Sequence, residues 1–508
     1  MDSVQRYFMG FFMVRITFGI KTFWKVTQII YVSKFYLYDQ NSDKRGLRLI
    51  PDLINLFEAI GLFLSYFLQL NLNKRTVLVM CLLLLSNFVL MSQFTIRREL
   101  FVSYFSFSVG FSNGISLMMI PFMGFNRYKK QEKGSGKVRK LIQNSFQARL
   151  LSLSGIFGLL SLFMAYFLIF ITVNEDDMIG QFYDGEDVEN FTLAMARYSA
   201  ISCGFSLLGV LFLNNELPIS KEIAGVGLRT EFVNRKNKRS KRSKAASDRI
   251  SYKIDIKSRD YLKTGTKKSE SAKMALLPVS NKPNSNNHNN FYSSEFSSLI
   301  RIKHVWFAMF LYFFLALHSV YYDRYYNKPL KNENINEFST LTNIDDRATN
   351  EKYFELSKMF VEILGLLIAG WLFDRFRTLY VAIGWIFFLL VHGILMFFWE
   401  NFYPLALMFR FFDAPVYVLI CFVIIEVFPI NYEAVFSMAA LGAVVANCLS
   451  FYVGYDKKKL DDNEKFILSL VTLLMSMILT MILCTSSTIF KTRIAKNTEE
   501  LQGKRNIN

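Results

Sequence analysis

The sequence predicts an all-α membrane protein whose twelve transmembrane helices fall into two sets of six. Three observations carry that prediction. The 508-residue chain is 52% hydrophobic and holds 52 Phe and 25 Tyr, far from the balance of a soluble domain. Twelve apolar runs approach the roughly 20 residues that a hydrocarbon core of about 30 Å demands of a helix. The formal charge of +18 is concentrated between runs: residues 126–148 carry seven Lys/Arg and one Glu, and residues 221–282 carry eighteen Lys/Arg and six acids, which together equal the whole excess.

The runs span 8–32, 51–71, 75–94, 101–125, 149–173, 193–213, 302–325, 353–373, 377–399, 402–428, 433–454 and 463–487. No small-residue cleavage site follows a short core in the first run, so it is expected to remain as a helix and not to act as a signal peptide. Residues 214–300 hold KNKRSKRSK and NKPNSNNHNN, a composition that reads as a disordered basic linker. The expected domains are therefore a half over 1–213, the linker over 214–300, a second half over 301–490 and a tail over 491–508. An even number of spans puts both termini on one side, and the positive-inside bias places them with the basic segments in the cytoplasm. Basic charge placed in this way argues against a nucleic-acid partner.

The opposite side receives residues 174–192, with seven acids and no Lys or Arg. Asn190-Phe-Thr192 in that loop fits the glycosylation acceptor pattern. The five cysteines (Cys81, Cys203, Cys421, Cys448, Cys484) lie singly in apolar runs, a spacing that supports neither a disulfide framework nor a metal site. No cofactor is expected, and G-x-x-x-x-G-K-[ST] does not occur, so any transport would be facilitated or gradient-coupled.

Two local patterns recur. The second run reads Glu58-Ala-Ile-Gly61-Leu62 and leads to Arg75-Thr-Val-Leu-Val79; the eighth reads Glu362-Ile-Leu-Gly365-Leu366 and leads to Arg377-Thr-Leu-Tyr-Val381. Corresponding places in two sets of six suggest a parallel internal repeat. GWLFDRFRT, with Gly370, Asp374, Arg375 and Arg377, resembles the signature G-x-x-x-D-R-x-x-R/K of the major facilitator superfamily. It lacks the glycine after Asp-Arg, and its last arginine is one place closer. The first-half copy keeps Lys74 and Arg75 but has no acid, and Tyr66 stands where glycine is expected. Phe428-Pro429-Ile-Asn-Tyr-Glu-Ala-Val-Phe436 followed by Leu441-Gly-Ala-Val-Val445 is similar to the facilitative L-type amino-acid transporter branch, to which the apicomplexan amino-acid transporter family is related.

Ionisable groups inside a bilayer are costly and tend to face the bundle interior, pair, or mark a substrate path. Lys21 lies near the middle of the first run with Lys25 four residues on, and Arg15 is close enough to the cytoplasmic end to snorkel. The resemblance makes Lys21, Lys25, Arg410 and Asp413 candidates to line a central cavity, with Glu58, Glu362 and Asn113 as further substrate-binding candidates. Mutual neutralisation of these charges is the structural alternative. The resemblance also implies a gate in which Gly370, Asp374, Arg375, Arg377 and Glu426 act together: Arg375 or Arg377 meets Glu426, and Asp374 sits on a helix N-terminus. Topology-setting positive charge is the alternative there.

His318-Ser-Val-Tyr-Tyr-Asp323 fits the HxxxxD pattern of acyltransferases, but five residues on a helix separate side chains by about 140°, which opposes a His/Asp dyad. His304 and His392 have no ligand spacing around them. The expected function is transport of a small molecule by alternating access, of amino acids first and of a monocarboxylate or other organic anion second; a receptor or scaffold using the basic linker is the reading from another class. The expected partners are the solute and the lipid bilayer, with a monomer as the default. The expected site is the plasma membrane, an organelle such as the mitochondrion remaining open.

Overall fold

In this computed structural model the described residues are 3–38, 47–131, 147–173, 178–179, 182–213, 300, 302–326, 344–398, 403–428, 432–455, 464 and 467–485. The expected linker over 214–300, apart from residue 300, and the expected tail over 491–508 lie outside them. Among the described residues this multi-pass integral membrane protein forms twelve helical spans in two sets of six. Eleven segments of the described residues are long and apolar enough to cross a bilayer. The twelfth span is the first run, which carries Arg15, Lys21 and Lys25 and is broken in its middle.

That span comprises α1 (Ser3–Phe18), a 3₁₀ turn (Gly19–Thr22) and α2 (Phe23–Tyr38). No proline causes the break. The Gly19 carbonyl accepts from Thr22 Oγ1 (2.9 Å) and faces Ser161 Oγ at 2.6 Å, so hydroxyls of two spans take over a carbonyl that α-helical hydrogen bonding would otherwise claim. A Cβ at Gly19 would overlap the Gly158 carbonyl, which is why the two backbones can approach this closely.

The other spans of the first half are α3 (Ile50–Asn71), α4 (Lys74–Gln93), α5 (Arg98–Gln131), the broken pair α6 (Gln147–Leu159) and α7 (Ser161–Thr172), and α8 (Gly185–Leu213). α8 starts eight residues before its apolar run. Glu186 and Asp187 in its first turn complement the positive end of the helix, and the Asp184 carbonyl accepts from Val188 N at 3.1 Å. Just before it, β1 (Met178–Ile179) and β2 (Phe182–Tyr183) form a short antiparallel ladder within the acidic loop.

The second half contains α9 (Lys303–Tyr326), α10 (Ile344–Arg375), α11 (Thr378–Phe398), the pair α12 (Tyr403–Asp413) and α13 (Val416–Val427), α14 (Tyr432–Tyr455) and α15 (Ile467–Thr485). Pro415 separates α12 from α13, since it supplies no N–H to the preceding turn.

Within the first half α3 packs on α5, α1 on α8, and α4 on both α5 and α8; within the second, α9 packs on α14 and α10 on α12. The halves meet where α3 lies on α14 and α6 on α10. Side chains such as Phe170, Ile201 and Tyr380 stand outward, as a lipid-facing surface requires. Trp24, Tyr31, Phe101 and Phe105 cluster between α2 and α5, with the Tyr31 and Phe101 ring centroids 4.7 Å apart.

The repeat seen in the sequence has a structural counterpart. A Cβ at Gly61 would overlap the Phe111 carbonyl, and a Cβ at Gly365 would overlap the Phe411 carbonyl. The two glycines therefore make the same contact in their own halves. The alignment that follows places Glu58 with Glu362 and Asn113 with Asp413.

Candidate functional site

The first half builds its charged group from three spans. Lys21 Nζ lies 2.6 Å from Glu58 Oε2, and the same oxygen accepts from Asn113 Nδ2 at 3.0 Å. Asn113 Oδ1 in turn accepts from Arg15 Nη1 at 2.9 Å. Arg15 also donates to Ser116 Oγ (2.5 Å) and, through Nε, to the Ser154 carbonyl (3.0 Å). The result is a chain running Arg15–Asn113–Glu58–Lys21.

Its members differ in reach. Arg15 is 3% exposed, whereas Lys21, held in the 3₁₀ turn, keeps 35% of its side-chain surface accessible. Snorkelling was open to Arg15 by its place in the run; the structure turns it inward, because Gly158 leaves room for its guanidinium and three acceptors converge on it. Lys25 lies on α2, and its side chain falls outside the described residues.

The second half offers a matching but different group. Arg410 Nε stands 4.0 Å from Glu362 Oε1, both largely buried, and Asp413 Oδ2 accepts from Ser319 Oγ at 3.1 Å. Lys358, one turn before Glu362, is buried too. Facing the first half's chain, Tyr417 donates to the Leu117 carbonyl at 2.7 Å and packs edge-on against Phe436, which Tyr312 also touches. Tyr312 lies within electrostatic reach of Glu58, and Tyr417 within reach of Arg15.

Beside the turns that join α3 to α4 and α10 to α11, two ion pairs join the halves. Asp374 Oδ2 lies 2.9 Å from Arg149 Nε, and Asp374 Oδ1 accepts from the Ala148 N–H at 3.2 Å, in the first turn of α6. This places Asp374 on a helix N-terminus, where partial positive charge gathers. Gly370 packs below it, since a Cβ there would lie 2.6 Å from Ser152 Oγ. Lys74 Nζ lies 2.8 Å from Glu433 Oε1, in the first turn of α14. Ser437 also donates to the Phe63 carbonyl across the same seam.

Arg375 lies over the Trp371 ring at 5.5 Å, a cation–π contact. Arg377 is exposed and its carbonyl starts α11, accepting from Tyr380 N and Val381 N. Glu426 closes α13. Asn190 is exposed within α8, with Thr192 turned back onto the Glu189 carbonyl.

The histidines are absorbed by packing. His318 Nδ1 lies 2.6 Å from Ser469 Oγ, His392 Nε2 lies 2.7 Å from the Leu405 carbonyl, and His304 stands edge-on to Phe307. Among the described residues no group of His, Cys, Asp and Glu is placed to hold a metal.

No family model and no curated protein matches the sequence. Solved structures do match. A point variant of the E. coli fucose:proton symporter FucP aligns over 94% of this chain and 99% of its own at 13% identity, with a TM-score of 0.54. FucP in the outward conformation gives a TM-score of 0.55 at 12% identity over the same shares. The chain has the major facilitator fold. The proton:xylose symporter XylE bound to 6-bromo-6-deoxy-D-glucose agrees, at 14% identity and a TM-score of 0.53 over 94% of both chains. In the major facilitator fold the two sets of six are the two halves described above, so Lys74–Glu433 and Asp374–Arg149 are contacts between halves.

Proposed function

We propose that the protein carries a small solute across the membrane by alternating access, its two halves rocking about the charged groups near mid-depth. The observation that carries this reading is the pair of half-to-half ion bridges on one face only a few helical turns from Lys21–Glu58 and Glu362–Arg410. Such bridges hold one face shut and must part for the other state to form. Solute and lipid bilayer are then the partners, and the plasma membrane is the proposed location.

The first solute class is an amino acid. Its carboxylate would go to the Lys21 side and its ammonium to the Glu362/Asp413 side, and the Phe428-Pro429 to Val445 resemblance supports this. The second class is a monocarboxylate or similar organic anion. It is favoured by the chain described in the first half, which holds two cations, Arg15 and Lys21, and one carboxylate, Glu58.

Uptake into proteoliposomes of radiolabelled leucine, arginine, glutamate, lactate and xylose tests the reading. Saturable flux of an amino acid, absent from a Lys21→Gln variant, is expected. Flux of xylose alone would overturn both solute classes, and no saturable flux of any of the five would overturn transport.

A further inference from the structure

In the chain Arg15–Asn113–Glu58–Lys21 two cations stand with one carboxylate. Arg15 is buried and bonded to three neutral acceptors, an amide oxygen, a hydroxyl and a backbone carbonyl. Among the described residues no carboxylate comes within ion-pair distance of it. Glu58 is the acid of the chain, and its Oε2 is shared between Lys21 and Asn113. A cation without a counter-ion in a low-dielectric setting raises the affinity of its surroundings for a second anion.

We infer that Glu58 pairs with Lys21 as a tethered stand-in for the anionic group of the solute, and that a bound carboxylate takes Lys21 over from it. The inference rests on the transport reading above and names the chemistry of its site. Three features carry it. Of these two cations Lys21 is accessible and Arg15 sealed, so between them it is Lys21 that can meet a solute. An ammonium offers three rotatable donors and can change partners without moving the backbone. Glu58 is not abandoned by the exchange, because Asn113 still donates to it and passes on the polarisation of Arg15. The loaded site then has two balanced pairs, Lys21 with the solute and Arg15 with Glu58 through Asn113.

A tethered competitor lowers the apparent affinity for its rival in proportion to its own occupancy. Removing it must therefore tighten binding, the opposite of what loss of a structural ion pair would do. The probe is acetate, with acetamide as its neutral counterpart, titrated against purified full-length protein in lipid nanodiscs and read as a shift in melting temperature. Glu58→Gln should lower the acetate midpoint about tenfold relative to the unaltered chain, acetamide should do nothing, and Lys21→Gln should abolish the response. If Glu58→Gln does not elute as a single peak, Glu58→Ala takes its place.

An unchanged or raised acetate midpoint on removing the carboxylate, an equal response to acetamide, or a response that survives Lys21→Gln overturns the inference. The transport reading fails separately. Acetate binding with the expected pattern but no flux of any of the five labelled solutes would end that reading and leave the inference standing, whereas saturable xylose flux with no acetate response would do the reverse.

Discussion

Lys74 and Glu433 meet at 2.8 Å with the base at the start of α4 and the acid on the opposite half, while Asp374 and Arg149 meet at 2.9 Å with those signs exchanged. The last turn of α10 supplies the acid, and the first turn of α6 supplies the base. The two seams are thus related by the internal repeat and by an inversion of charge.

Reversing one seam should open it. Lys74→Glu places two acids together, and for a pair about one-fifth exposed on each side a change of about 1–2 kcal/mol is expected, or about 5- to 30-fold in the balance between states. Labelling of a cysteine introduced at Ser437 should speed up accordingly, and Lys74→Glu with Glu433→Lys should return it to the starting rate. Failure of the double variant to recover would dismiss the pairing.

Asp374 depends on both Arg149 and the α6 N-terminus. Asp374→Asn keeps its shape and loses the charge, so the same labelling should rise by about tenfold, the equivalent of about 1.4 kcal/mol. Arg149→Gln should have a smaller effect, because about half of its side chain is in solvent. Equal effects would mean that the helix N-terminus contributes nothing.

Gly61→Ala and Gly365→Ala should each destabilise by about 1–3 kcal/mol, since both would force a Cβ onto a carbonyl oxygen. Gly384, with nothing within 4 Å of a built Cβ, serves as the control, and Gly384→Ala should be neutral or slightly stabilising. Melting temperatures in detergent read all three. Unequal losses at Gly61 and Gly365 would argue against an equivalent contact in the two halves.

How far the sequence led depends on whether a feature is local. The E-x-x-G pattern identified Glu58–Gly61 and Glu362–Gly365 because a helix brings residues three apart onto one face. The signature around Asp374 located a helix end for the same reason. Arg149 and Glu433 stayed hidden, since each partner lies in the other half and no periodicity links Lys74 with a residue 359 positions on. The inward turn of Arg15 stayed hidden too, because hydropathy gives depth along a span but not the direction a side chain takes around it. The break at Gly19 contains no proline, and the hydroxyl that holds it, Ser161, belongs to another span.

Arg15→Lys follows from that inward turn. An ammonium cannot reach Ser154, Asn113 and Ser116 in the fixed fork of a guanidinium. A loss of about 2–4 kcal/mol is expected from leaving buried acceptors unpaired. Thermal unfolding measures it, and a melting temperature unchanged from the parent would show that Arg15 is not held as described.

The hydroxyl of Ser161 lies 2.6 Å from the Gly19 carbonyl and 2.8 Å from Thr22 Oγ1, so the breaks in the first and fifth spans sit at one level and are fastened to each other. During any rocking of the halves these two spans travel as one piece. A pair of spin labels, one on α2 and one on α7, is accordingly a ruler of fixed length, against which the changing distances between α7 and α10 can be calibrated.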